Sequence, residues 1–248
     1  MNKKESLMKF STVYHKSKAL GFIQYRSLYQ ALQYKRLFNE LSNLRLKLPS
    51  EPSALDWGGG QGHCSVLLSQ LGYKTTLFSI IPYESIWKKI APMGVEIEYQ
   101  HEGIQELKLP DDKYNIAVSC GVLEHVRETG GNELSSLKEL KRVTKDYIII
   151  YHLPNKYSWI EWFSRNFRPN KYSHPFRYTE TDVKNLVQQV GGLKIEKSSL
   201  YGVFPRRIGK HISNKYLSLA IDWLDLFLCN TPLVKFGQAY CFTIRVVN

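Results

Sequence analysis

The sequence has few cysteines, and they form no pattern that binds a metal. Four cysteines occur in 248 residues, at positions 64, 120, 229 and 241, and no two of them form a C-x-x-C pair. Structural zinc sites need clustered ligands, and small secreted domains need paired cysteines. The spacing therefore argues against a zinc site and a disulfide framework, and it favours a reducing compartment. We predict no metal site.

Long apolar runs are also lacking. No uncharged run reaches the roughly 18 residues of a transmembrane helix. The first ten residues contain three lysines and no apolar core of the kind that signal peptides have. We therefore expect a cytoplasmic protein, with peripheral contact at the inner membrane face as an open alternative.

Positive charge is abundant and unevenly distributed. The formal net charge is +12, with +8 in residues 1–50, −4 in 51–153 and +8 in 154–248. Basic flanks indicate an anionic partner, such as a phosphorylated substrate, a nucleic acid or an anionic membrane surface. Solubilising charge on solvated helices explains the same distribution, so the two readings stay open.

A glycine-rich stretch organises the middle of the chain. Residues 54–64 read Ala-Leu-Asp-Trp-Gly-Gly-Gly-Gln-Gly-His-Cys, and an apolar segment follows them. This order predicts a strand, a tight turn and a helix. Glycine tolerates positive φ and lets backbone N–H groups approach a ligand. The N-terminus of the following helix adds a partial positive charge, which favours a carboxylate or phosphate.

Three stretches together resemble a known family. The order D-x-G-x-G-x-G at Asp56, Gly58, Gly60 and Gly62 resembles motif I of the class I S-adenosyl-L-methionine (SAM)-dependent methyltransferases. Residues 113–126, which end in Val-Leu-Glu-His-Val, resemble the fourth strand of that family and its exit. Residues 146–155 resemble the fifth strand with its Pro-Asn exit. The resemblance covers about residues 52–200, and this part of the chain is similar to the type 11 branch of the family.

The resemblance implies an α/β fold, a doubly wound, Rossmann-like, mostly parallel sheet of seven strands. Strand seven is expected antiparallel beside strand six. Residues 1–50 would form an N-terminal helical lid, since apolar residues recur near a 3.6 period from Ser27 to Leu48; a helix docked on the sheet is equally compatible. The methyltransferase domain would span 51–248, with an acceptor-side insertion at 154–178 and a helical insertion at 205–232.

The resemblance also implies the cofactor, SAM, and a set of residues that bind it. These are Asp56, Trp57, Gly58, Gly59, Gly60, Gly62, Ser79, Ile80, Gly103, Ile104 and Cys120. Two of them depart from the family pattern. Ser79 stands where the family has an acidic residue for the ribose hydroxyls, with Glu84 as a nearby substitute. Gly103 stands at an acidic position near adenine, with Glu102 one residue earlier.

His125 is the candidate catalytic residue. It follows the predicted fourth strand at the carboxyl edge of the sheet, where open α/β sheets bind ligands. The ordinary pKa of histidine suits a general base. A structural or orienting role is the alternative, because the Leu-Glu-His-Val motif occurs in this family across many substrates.

The acceptor is less determined than the cofactor. The insertion after the fifth strand is rich in aromatic and basic residues, namely Trp159, Trp162, Phe163, Arg165, Phe167, Arg168, Lys171, His174 and Arg177. We expect O-methylation of a small or lipid-linked, anionic acceptor in saccharide or cell-envelope synthesis. A quinone, RNA and a non-catalytic SAM-binding role are the alternatives. Nucleic acid is disfavoured because we find no RNA-binding module.

Residues 214–229 predict a helix that is apolar around most of its circumference. Its polar stripe is narrow and consists of Ser218, Asp222 and Asp225. Such a helix must bury its apolar surface somewhere. Packing on the core, a homodimer and insertion into a membrane interface are the three possibilities, and we rank core packing or dimerisation first.

Overall fold

The computed structural model describes residues 3–100, 107–167 and 174–247, and the strands of this part form one seven-stranded sheet. Their order across the sheet is β3-β2-β1-β4-β5-β7-β6. The strands are β1 (Ser53–Trp57), β2 (Lys74–Ser79), β3 (Val95–Tyr99), β4 (Tyr114–Cys120), β5 (Thr144–Pro154), β6 (Leu193–Tyr201) and β7 (Ala239–Val246).

The pairing pattern confirms the predicted fold. Strands β1 to β5 pair in parallel, whereas β7 lies antiparallel between β5 and β6. The strand order reverses between β1 and β4, so the loops that follow these two strands diverge and leave a crevice. The glycine turn follows β1, and the Leu-Glu-His-Val segment follows β4.

Helices cover both faces of the sheet. They are α1 (Lys3–Ala19), α2 (Leu28–Arg45), α3 (His63–Gln70), α4 (Glu84–Ile90), α5 (Glu133–Val143), α6 (Trp159–Phe167), α7 (Glu180–Val190) and α8 (Lys215–Cys229). Successive strand residues point to opposite faces. Ala54 therefore packs in the apolar cluster with α1 to α4, whereas Leu55 packs in the cluster with α5 and α7.

Local capping explains where several helices begin. The Ser27 side chain accepts a hydrogen bond from the Gln30 backbone N–H, which fixes the start of α2. Thr179 and Asp182 form a reciprocal capping box at the start of α7. Helix α2 ends at Arg45, three residues before the predicted end at Leu48.

Helix α8 is oriented opposite to what core packing requires, which was ranked first together with dimerisation. Ser218, Asp222 and Asp225 are buried, whereas Trp223 and Phe227 are 68% and 56% exposed. The prediction that its apolar surface packs on the core is therefore wrong. The reason is electrostatic: Asp225 is fully buried and pairs with Arg36 of α2 at 2.6 Å.

No helix in the described residues is long and apolar enough to cross a membrane.

Candidate functional site

A cavity of about 410 Å³ opens at the carboxyl edge of the sheet, beside the crevice between β1 and β4. Three loops contribute to it, namely those that follow β1, β2 and β4. Its lining consists of Trp57, Gly58, Gly60, Phe78, Ser79, Ile80, Ile81, Tyr83, Gly121, Val122, His125, Val126, Glu128 and Thr129. Five of the predicted cofactor residues, Trp57, Gly58, Gly60, Ser79 and Ile80, are thus brought together, and His125 joins them.

The glycine turn is shaped by close packing as well as by backbone conformation. Gly58 has φ +72°, and a Cβ there would lie 2.5 Å from Val122 Cγ1 in the loop after β4. Gly62 has φ +93°, and a Cβ there would lie 2.3 Å from Ile90 Cδ1 of α4. A Cβ at Gly60, in contrast, would make only ordinary van der Waals contacts, the nearest at 3.8 Å from Tyr83 Cε2, and Gly60 lines the cavity. The turn therefore has no room for a side chain at Gly58 or Gly62, and a ligand can approach its backbone at Gly60.

Asp56 lies beneath the turn as a buried carboxylate. It is 1% exposed, and its Oδ2 accepts a hydrogen bond from Ser65 Oγ at 2.5 Å. Its Oδ1 has no hydrogen-bond partner. Burial raises the pKa of Asp56 to about 6, although the Ser65 hydroxyl opposes this shift. A buried carboxylate oxygen without a partner is costly unless a cationic ligand supplies one.

Ser79 is engaged in a local turn. Its hydroxyl donates to the Ile81 carbonyl at 2.8 Å and accepts from the Ile81 N–H at 3.2 Å. The neighbouring candidate Glu84 is exposed and does not contribute to the cavity lining. The cavity therefore receives no carboxylate from the end of β2. Gly103 and Ile104, the two predicted adenine contacts, lie outside the described residues.

Cys120 ends β4 in a half-buried position close to a histidine. Its Sγ lies 3.9 Å from His63 Nε2 at the start of α3. A hydrogen bond from the Cys64 thiol and the nearby His63 lower the pKa of the Cys120 thiol, and the pKa of Cys64 is raised. Cys120 does not line the cavity, so its side chain belongs to the buried region between the sheet and α2.

His125 lies at the mouth of the cavity in the turn after β4. Its Nδ1 is 3.0 Å from Glu128 Oε1, and its Nε2 is 4.0 Å from Glu124 Oε1. Glu124 is buried, and its desolvation raises its pKa to about 7. His174, which follows α6, also lies here, with its ring centroid 5.8 Å from that of His125. These residues bring ionisable groups together at the entrance.

A second polar group lies toward the carboxyl ends of β5 and β6, and the sequence had only partly indicated it. Tyr34 of α2 accepts a hydrogen bond from an Arg206 guanidinium nitrogen at 2.7 Å. His152 Nδ1 lies 2.6 Å from Tyr201 Oη, and the His152 backbone has φ +70°. In the described part of the chain, Arg206 forms no ion pair with a carboxylate. A positive, aromatic-lined environment therefore adjoins the sheet edge beside the cavity.

His152, Tyr34 and Arg206 are not among the site residues predicted from the sequence. Tyr34 and Arg206 are 172 residues apart. A mixed aromatic and basic composition in two distant segments was the available signal. No local pattern pairs two such residues, so the tertiary fold alone joins them.

The predicted lid and insertion are partly placed by the structure. No residue of the described N-terminal segment lines the cavity, and α2 instead packs over β5, where Tyr151 Oη donates to the Gln33 carbonyl. A lid role for residues 1–50 stays a prediction. Among the predicted cationic candidates of the insertion, Arg165 is exposed, Arg177 lines a separate groove, and Arg168 and Lys171 lie outside the described residues.

The residues at this site fit SAM. The unpaired Oδ1 of Asp56 matches the need of an ammonium group for a buried acceptor. The open face of Gly60 leaves room for the methionine part to pass close to the backbone. Trp57 and Ile80 supply apolar surface to the cavity.

Comparisons with known proteins agree with this geometry. Residues 26–196 match the family model described as a methyltransferase domain. Magnesium protoporphyrin IX methyltransferase from Synechocystis was solved with bound S-adenosylhomocysteine (SAH). It has a TM-score of 0.58 at 12% identity, and the match covers 96% of this chain and 95% of that one. A SAM-dependent methyltransferase from Methanosarcina mazei has a TM-score of 0.56 at 15% identity, with coverage of 83% and 97%.

Comparison with curated protein sequences gives no significant match. The family model nevertheless covers more than half of the chain, and both solved structures have the same fold with a SAM-dependent activity. The chain therefore belongs to the class I SAM-dependent methyltransferases, and its cofactor is SAM.

Proposed function

We propose that the chain transfers a methyl group from SAM to an oxygen of an anionic, lipid-linked acceptor, such as a saccharide intermediate of cell-envelope synthesis. The observation that carries this proposal is the outward apolar face of α8. Tyr216, Trp223 and Phe227 are the most exposed large apolar residues of this helix, at 80%, 68% and 56%. The two acidic residues of α8, Asp222 and Asp225, are buried, so its outward face carries no acidic side chain.

The outward face of α8 has the composition of an interfacial membrane helix. Large apolar side chains cover it, and exposed lysines lie at both ends, at Lys210, Lys215 and Lys235. Amphipathic helices of this kind lie in the headgroup region, with lysines on anionic lipids. The chain's net charge of +12 adds to that attraction.

The ion pair of Asp225 with Arg36 connects this face to the active-site side of the molecule. Asp225 also accepts a hydrogen bond from the Phe204 N–H at 2.8 Å, two residues before Arg206. Arg36 lies two residues after Tyr34, which contacts Arg206. A bilayer on α8 would therefore adjoin Arg206, which is half-buried and has no carboxylate partner among the described residues, and an acceptor phosphate would supply a negative charge there.

Little catalytic machinery is required for this reaction. SAM supplies an electrophilic methyl group on a sulfonium, and the chain positions both substrates and excludes water. Asp56 and the glycine turn would hold the cofactor. The acceptor oxygen loses its proton, and His125 at the cavity mouth is our candidate to receive it.

The test of membrane contact is vesicle flotation. We expect binding to vesicles that contain anionic phosphatidylglycerol, weaker binding to neutral phosphatidylcholine, and loss of binding in Trp223→Glu and Phe227→Glu. Leu46→Glu is the matched control, because Leu46 is 72% exposed at the far end of α2. A concentration-dependent dimer that those two variants abolish, without vesicle binding, would refute the membrane assignment.

The test of the acceptor class uses SAM labelled on its methyl group. Lipid-linked saccharides and the corresponding free nucleotide sugars are offered separately, and label is measured in the organic and aqueous phases. The proposal requires label in the organic phase and its loss in Arg206→Met. Label on RNA, or on a water-soluble acceptor at the same rate with and without lipid, contradicts it.

A further inference from the structure

Two histidines and a glutamate converge at the cavity mouth in a way that the sequence did not indicate. Glu124 and His125 are adjacent in the turn after β4, and His174 follows α6, 49 residues after His125. One potential ligand atom from each of these three residues lies within 4.8 Å of the others. Ligand atoms about 2.0–2.1 Å from one tetrahedral zinc ion lie about 3.4 Å apart, so small side-chain rotations would bring these three atoms to binding distance.

The outer partners of both imidazoles favour a metal site over a set of ordinary ion pairs. His125 Nδ1 lies 3.0 Å from Glu128 Oε1, and His174 Nδ1 lies 2.9 Å from Glu161 Oε1. A carboxylate that accepts from Nδ1–H fixes the tautomer in which Nε2 carries a lone pair. Metal-binding histidines almost always donate their other ring N–H to a carboxylate, a backbone carbonyl or a water molecule.

Glu161 is built into the fold rather than placed on the surface. It is 2% exposed, and its second oxygen accepts from the His174 backbone N–H at 3.1 Å. The glutamate therefore holds both the ring and the backbone of His174. These two contacts position His174 at the cavity mouth.

Because Glu128 and Glu161 each contact an Nδ1 atom, the groups left to face one another in the cluster are electron-pair donors. The lone pair of His125 Nε2 is directed to the region of Glu124 Oε1, 4.0 Å away, and Glu124 is buried. A lone pair and a buried carboxylate repel each other unless a cation lies between them. A proton on His125 satisfies one pair, whereas a metal ion satisfies all three ligands together.

We propose that Glu124, His125 and His174 bind one divalent transition-metal ion, with Glu128 and Glu161 orienting the two imidazoles. Two imidazoles and one carboxylate form a donor set of catalytic zinc sites, and imidazole disfavours Mg²⁺ and Ca²⁺. The expectation of no metal site rested on cysteine spacing, which carries no information about a ligand set brought together from two distant segments.

Three protein ligands leave coordination positions open, and His125 and Glu128 line the cofactor cavity. The ion would therefore polarise an acceptor hydroxyl beside the cofactor, a role that rests on the proposed function. His125 as a metal ligand is then not the base, and the acceptor O–H proton leaves to solvent at the mouth. A C–O bond forms to the methyl carbon as its bond to sulfur breaks, and SAM becomes SAH.

Metal binding is tested on the full chain after treatment with a chelator, by calorimetric titration with ZnCl2, MnCl2 and MgCl2. We expect one zinc ion per chain, no saturable binding of Mg²⁺, and at least a 100-fold weaker zinc affinity in His174→Gln. Glu161→Gln should weaken zinc binding 10- to 100-fold, because it removes an outer partner and no ligand. His15→Gln, an exposed histidine on α1, is the control and should leave zinc binding unchanged.

Two further measurements keep the result interpretable. SAH binding must persist in His174→Gln, which shows that the fold is intact, and Co²⁺ in place of zinc should give the visible absorption of a four- or five-coordinate site in the wild type only. Zinc binding that is equal in His174→Gln and the wild type overturns the proposal. Full methyl transfer by the chelated enzyme overturns the polarising role, independently of whether the acceptor class is correct.

Discussion

Replacing Asp56 by Asn should change how the stability of the protein depends on pH. Burial raises the pKa of Asp56 from its ordinary value of 3.8 to about 6 in the folded protein. The folded state therefore binds a proton that the unfolded state has released between these two values. For such an acid, the free energy of unfolding falls as pH rises through this window.

The magnitude follows from the two pKa values. At about 1.36 kcal/mol per pH unit, the full effect is about 3 kcal/mol. Roughly half of it, about 1.5 kcal/mol, falls between about pH 5 and pH 8, where the protein is most easily handled. The Asn variant lacks this titration. It buries an amide instead, which costs about 1–3 kcal/mol at every pH.

The assay is urea unfolding of the wild type and Asp56→Asn at several pH values without cofactor. The difference in unfolding free energy should move in favour of the variant by about 1.5 kcal/mol from about pH 5 to pH 8, whatever the constant cost of the amide. Asp112→Asn, at an exposed turn, controls for the loss of one negative charge. A difference that stays constant with pH refutes the assignment of a buried, unpaired carboxylate.

The same variant tests the cofactor role of Asp56. A charge-assisted hydrogen bond to the ammonium group of SAH contributes about 1.5–3 kcal/mol, so Asp56→Asn should weaken SAH binding by roughly 10- to 100-fold at neutral pH. Wild-type affinity should also fall below about pH 6, as Asp56 takes up its proton. Equal affinities for the two proteins would contradict this role.

Three further changes give measurable outcomes. Gly62→Ala should lower the free energy of unfolding in urea by about 2 kcal/mol or more, because the residue has positive φ and its Cβ would overpack against Ile90. Gly72→Ala is the control, since Gly72 has a similar φ but open space around it, and it should lower the free energy of unfolding by about 1 kcal/mol. Equal losses of stability would contradict the packing argument. Ser79→Asp should tighten SAH binding about tenfold in calorimetry by supplying a carboxylate for the ribose hydroxyls, and unchanged affinity would contradict its placement. Arg36→Met should lower the free energy of unfolding by about 3–5 kcal/mol, because it leaves Asp225 buried and unpaired. The double variant Arg36→Met/Asp225→Leu should recover most of that stability. A double variant as unstable as the single one would refute the packing of α8 with its acidic side inward.

The sheet was the most predictable part of the molecule. The resemblance implied seven strands with strand seven antiparallel beside strand six, and the structure has this arrangement. Continuous apolar runs such as that of β4 determine a buried parallel strand almost by themselves, because both faces must be covered. β5 begins at Thr144, two residues before the stretch that resembles the fifth strand of the family, and its ends pair with Tyr114 of β4 and Ala239 of β7.

The orientation of α8 was less predictable, since sequence alone gives the pattern around a helix and not the direction of its polar stripe. Ser218, Asp222 and Asp225 lie on one side in either case. Their burial depends on Arg36 of α2, 189 residues from Asp225, which offers a charged partner inside. Without that partner, desolvation would keep Asp225 at the surface.

The sequence by itself determined the cofactor turn, because its residues are consecutive and their backbone conformations are local. Glycines at 58, 60 and 62 have positive φ as such a turn requires, and Asp56 lies just before them in β1. The tertiary structure alone decided what surrounds the acceptor. Tyr34 meets Arg206, and His125 meets His174, only because the sheet and the insertion bring separate segments to one edge. Contacts between residues so far apart in the chain are set by packing, which no local pattern encodes.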